Sequence, residues 1–181
     1  KEVEDIIRKL RRHVKEIERT IREMVESVKR LADEVVKVLK DALDSARDHV
    51  RKILETLRDK GTSEVARRLE RSNEEHMRRT EEEIRKLEER LDRHVKETRD
   101  VLRELRRSND KLRDEVDRAN LPEDVLRELR KVIEDTERTI KRLVDELEKV
   151  HREVKERIRK IAKDLRDKHK KSKRDIRETE R

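Results

Sequence analysis

The sequence contains no cysteine, no phenylalanine, tyrosine or tryptophan, and a single glycine and a single proline. Without cysteine there is no disulfide, no thiolate metal site and no thiol redox chemistry, and thiol usage says nothing of compartment. Without aromatic rings nothing is available to stack on the bases of a nucleic acid. One glycine leaves no glycine-rich loop that would cradle a phosphate. Long apolar runs are missing as well. No stretch approaches the roughly 18 uncharged residues of a membrane-spanning helix, and no signal-peptide pattern is expected from the residues present.

What is there is charge. Charged residues make up 56% of the 181 and apolar ones 30%, a balance that in an aperiodic chain would mean disorder. Here the apolar residues recur at helical spacing, and a narrow stripe is all that a thin bundle needs to bury. The formal charge of +8 is uneven: Lys and Arg exceed Asp and Glu in residues 1–60 and 121–181 and match them in 61–120. The excess peaks at Arg166-Asp167-Lys168-His169-Lys170-Lys171-Ser172-Lys173-Arg174. Such a run attracts nucleic acid or anionic lipid in some proteins. With no aromatics it reads first as a solvated basic helix end that complements the macrodipole.

Two short stretches interrupt the helical pattern. In Asp59-Lys60-Gly61-Thr62-Ser63-Glu64, Gly61 is suited to the left-handed conformation that closes a helix, and Thr62 or Ser63 to capping the next. In Ala119-Asn120-Leu121-Pro122-Glu123-Asp124, Asn120 suits the position just past a helix and Pro122 the first turn of the next. Connections this short make neighbouring helices antiparallel. The expected fold is therefore all-α: a single-chain, up-down-up antiparallel three-helix bundle. One elongated domain is expected across 1–181, with helices over about 2–60, 63–119 and 122–180.

The apolar residues repeat every 18 positions. Ile17, Val35 and Ile53 form one series, Leu69, Leu87 and Leu105 another, and Ile140, Ile158 and Ile176 a third. Eighteen residues are about five turns of an unperturbed helix, so no supercoil is imposed and the helices are expected to be nearly straight. Acid-to-base pairs four apart, such as Glu134/Arg138 and Glu137/Lys141, fill the outward faces. Each adds roughly 0.2–0.5 kcal/mol.

All six histidines obey the same spacing. His76 and His94 are 18 residues apart, as are His151 and His169, while His13 and His49 are 36 apart. Ser72, Asn73, Ser108, Asn109, Thr136 and Ser172 share these stripes. In antiparallel helices facing residues have a constant index sum. His13 with Asn109 and His49 with Asn73 both give 122, and His94 with His151 and His76 with His169 both give 245. Four polar core layers are expected: His13–Ser108/Asn109–Thr136, His94–His151, His76–His169 and His49–Ser72/Asn73–Ser172. Buried polar groups are costly without partners, and neutral imidazole can both donate and accept.

Other chemistry is weaker. Glu148-Lys149-Val150-His151 matches one Glu-x-x-His element of carboxylate-bridged di-iron bundles, but no second element or registered core Glu pair accompanies it. A pair of histidines lacks the third ligand usual for zinc. No nucleophile–base pair stands out, so neither catalysis, metal nor cofactor is expected.

Equal helices, minimal loops and an internal repeat together with the twelve polar residues above give the chain a recognisable style. It resembles de novo designed, parametrically generated helical bundles with buried hydrogen-bond networks. Within that class, repeated core histidines beside Asn, Ser and Thr are similar to designs intended to respond to pH. Spectrin-type repeats and membrane-curving bundles also have three long helices, but the absent aromatics and the straight period count against them. The resemblance implies a structural scaffold. Burial lowers a histidine pKa from about 6.5, so the stabilising contribution is present above the unfolded value and is lost as pH falls. A monomer needing no partner is expected. The alternatives are self-association through helix 1, whose apolar face includes Val25, Val36, Leu43 and Leu54, and acid-triggered membrane disruption. Specific nucleic-acid binding ranks last.

Overall fold

A computed structural model describes residues 2–180, with the side chains of 3–179. It contains three unbroken helices: α1 (Glu2–Lys60), α2 (Ser63–Arg118) and α3 (Glu123–Glu180). No strand occurs among the described residues. The chain is an all-α, three-helix protein, built from long runs of strong helix formers that only two short connections interrupt.

At the first connection Thr62 caps α2: its hydroxyl accepts from the Val65 amide at 3.3 Å, and its carbonyl accepts from Ala66 at 2.9 Å. The left-handed conformation expected of Gly61 does not form, because no described glycine has positive φ. The requirement there is closeness. A Cβ on Gly61 would lie 2.7 Å from the Leu57 carbonyl oxygen, and only hydrogen fits. Asn120 likewise stays out of the left-handed region. The second turn is closed instead by the Leu121 amide donating to Ala119 O at 2.8 Å, and Pro122 precedes α3 with its carbonyl accepting from Leu126.

The helices pack into two compact units. One comprises the chain up to Arg30 with Asp92–His151, the other Leu31–Leu91 with the chain from Arg152 onward. In the first unit Leu10, Leu112, Val116, Leu129 and Ile133 form a core supplied by all three helices. In the second, Ile53, Ala66 and Ile176 do the same, flanked by Leu57 and Leu69. Two of the 18-residue series are buried throughout, Ile17, Val35 and Ile53 on α1 and Ile140, Ile158 and Ile176 on α3, whereas on α2 Leu87 is buried and Leu69 and Leu105 are half-buried. Each fully buried side chain contributes about 1.5–3 kcal/mol.

Cross-helix pairs fix the antiparallel sense within each unit. As α1 numbers rise, α2 partners fall, from Lys9–Glu115 through Ser27–His94 in the first unit and from Glu34–Arg90 to Ser45–His76 in the second. Between α2 and α3 the pairs run Asp117–Arg130, Arg113–Glu137, Arg99–Glu148 and Asp92–His151. Of the expected pairs on α3, Glu134/Arg138 gives way, Arg138 meeting Asp135 three residues before it, while Glu137 reaches across to Arg113 at 2.7 Å and keeps an electrostatic interaction with Lys141.

Candidate functional site

All six histidines lie at the edge of the core and are half-buried. Helix geometry explains this. His13, His49, His76 and His94 each follow a buried residue (Leu10, Ala46, Asn73 and Leu91) by three positions, about 60° off its line. His151 and His169 follow Leu147 and Leu165 by four, about 40° off. Asn73, Asn109, Thr136 and Ser172 are buried as expected. Ser72 and Ser108 are exposed, because each stands one residue, about 100°, from the buried Asn that follows it.

The four expected layers form only in part. His13 Nδ1 lies 3.4 Å from Ser108 Oγ. Asn109 donates from Nδ2 to the Ile133 carbonyl at 3.2 Å, and Thr136 bonds back to Val132 O in its own helix. His94 and His151 take other partners than each other: Ser27 Oγ is 3.1 Å from His94 Nε2, and His151 Nε2 donates to Asp92 Oδ1 at 2.9 Å. His76 Nε2 meets Ser45 Oγ at 3.5 Å. Ser27 and Ser45 escaped the sequence reading, although a signal was there. They too are 18 apart, and all three Ser–His pairs across α1 and α2 have numbers summing to 121.

The second unit brings three of the histidines together. The His49 and His76 rings stack with centroids 4.2 Å apart and planes 7° from parallel. His169 lines the same cleft of about 310 Å³ with them. Opposed chain directions produce the cluster. In the observed register His49, His76 and His169 fall within about four residues, roughly 6 Å along the axis, whereas His13 stands about 14 residues, roughly 21 Å, from His94. The 18-residue repeat does carry over from α3 to α2: Glu74 acts electrostatically on His169, at the spacing by which Asp92 faces His151.

Burial is the largest influence on all three cleft histidines and lowers their pKa values from 6.5. At His49 a hydrogen bond that the ring donates to the buried Asn73 favours the charged form, and Lys52 opposes it. His76 is lowered further by His49, Arg79 and His169. His169 is lowered by Lys173 and His49, while Glu74 and Glu81 act in the opposite sense. Protonating one ring therefore hinders the others, and the three titrate as a coupled group. His49 Nε2 and Ser172 Oγ, both on this cleft, are buried without a hydrogen-bond partner.

The two side chains of the Glu-x-x-His element on α3 have separate partners. Glu148 holds Arg99 while His151 holds Asp92. No group of three or more His, Asp or Glu among the described residues is placed to hold a metal ion. Among the described residues no helix is long and apolar enough to cross a membrane.

No protein-family model matches the sequence, and no curated protein matches it. Among solved structures the chain is similar to one described as a computationally designed three helix bundle. The identity is 17%, the match covers 98% of this chain and 86% of that one, and the TM-score is 0.48.

Proposed function

We propose that this chain is a designed structural scaffold without catalytic activity, whose stability is set by protonation of His49, His76 and His169. The sequence supports the first half: three helices of similar length, minimal connections and one 18-residue repeat throughout. The observation that carries the second half is the stacked His49/His76 pair beside His169, held below 6.5 chiefly by burial. The sign follows. A group that binds its proton less tightly when folded contributes stability above the unfolded value, near 6.5, and loses it as pH falls toward the lowered folded value. Solvent at the half-exposed rings screens part of the effect. Denaturation in urea, followed by circular dichroism between pH 8 and 5, tests the reading. The midpoint should be flat above pH 7 and fall below it, with the fall reduced by replacing all three histidines with Gln. A midpoint that does not move between pH 7 and 5 contradicts it.

A second reading, a self-assembly module, draws on one feature of the first unit. Val25 is 40% exposed at the rim of an apolar cleft of about 230 Å³, with Ile21, Val28, Leu143 and Val150 also on its walls. Light scattering at two concentrations separates this reading from a monomer.

A further inference from the structure

The most basic stretch of the chain supplies two of the three fixed cations on the wall of the histidine cleft. Arg166, Lys168, His169 and Ser172 of α3 line it, with Arg85 also on the wall and Glu81 and Glu88 as its acidic groups. Lys52, Arg79, Lys173 and Glu74 act on the rings electrostatically. Near neutral pH the three fixed cations on the wall nearly balance the two carboxylates. Protonation of the imidazoles leaves the wall strongly cationic.

Two buried donors then lack acceptors. Ser172 is 1% exposed and its hydroxyl has no partner. His49 Nε2 is in the same position, and a protonated ring donates from both nitrogens, whereas Asn73 satisfies one at most. An unmet buried donor is costly, and a charged acceptor forms the stronger bond. A metal ion does not fit this geometry, because stacked rings do not converge on one point.

We infer that the cleft among His49, His76, His169 and Ser172 is a binding site for a small inorganic oxyanion, filled when the imidazoles are protonated. The anion accepts from the Ser172 hydroxyl and the His49 Nε2–H and neutralises the cationic wall. The inference rests on the protonation reading of these histidines and adds a ligand to it. By linkage, an anion that binds the protonated form opposes unfolding in acid.

Sulfate is the probe, since it remains a dianion from pH 8 to 5. Urea midpoints are measured with millimolar sulfate against chloride of equal ionic strength, at pH 5.5 and pH 8, and binding at pH 5.5 is measured by calorimetry. At pH 5.5 a saturable rise is expected. At ten times the dissociation constant the folded-to-unfolded ratio increases roughly tenfold. The rise should vanish at pH 8 and shrink in Ser172→Ala and His169→Gln, two substitutions of similar or smaller size. A rise that is unsaturable and equal in both variants is general salt exclusion and overturns the site. If stability falls in acid but sulfate equals chloride, the anion site is wrong and the pH reading survives. If stability does not fall in acid, the pH reading fails, and calorimetry alone decides the site: saturable heat lost in Ser172→Ala upholds it, and absence of heat overturns it.

Discussion

Asn73 and Asn109 are 36 residues apart on α2 and equally buried in kind, yet their surroundings differ. Asn73 has His49 as a partner and favours its protonated form. Asn109 gives Nδ2 to the Ile133 carbonyl, and its Oδ1 is buried without a partner. Replacing Asn109 with Leu removes an unmet acceptor and leaves the Ile133 carbonyl to its own helix. It should raise stability by about 1 kcal/mol in urea denaturation at pH 7. Asn73→Leu should act elsewhere, moving the His49 titration further below 6.5, as ring-proton shifts would show. That the asparagines share the apolar stripe was legible from their spacing. Which one finds a histidine was not, because a residue sum fixes axial level and leaves side-chain rotation undetermined.

At the scale of the helix and its connection, the sequence reading came close for one physical reason: little else in the chain breaks helical structure. Thr62 was one of two candidate caps, and its side chain takes the role. Thr62→Ala should lower the unfolding midpoint by the equivalent of about 1 kcal/mol. Gly61 was identified for the wrong property. Its need is the 2.7 Å approach to Leu57 O rather than positive φ, and sequence alone does not distinguish these uses of glycine. Gly61→Ala should therefore destabilise by about 1–3 kcal/mol, since the obstructing atom is backbone and has little room to yield. An unchanged midpoint would show that the turn relaxes freely. The surface ladders were the least legible feature, because an exposed Arg has several carboxylates in reach at similar energy.

For the whole molecule, the arrangement of histidines matters more than their number. Each unit contains three, but opposed chain directions bring His49, His76 and His169 together and leave His13 well apart from His94. The 18-residue spacing within each helix was visible in the sequence. The cluster was not, because it depends on side-chain rotation as well as register: the serine–histidine pairs sum to 121, while the His49–Asn73 pair keeps the expected 122. Neutral rings stack comfortably at 4.2 Å, and charged ones repel. The most direct measurement is a nuclear magnetic resonance titration of the ring protons of His49, His76 and His169 in the folded protein. The account predicts coupled transitions with midpoints below 6.5 at all three. Midpoints at or above 6.5 would contradict it.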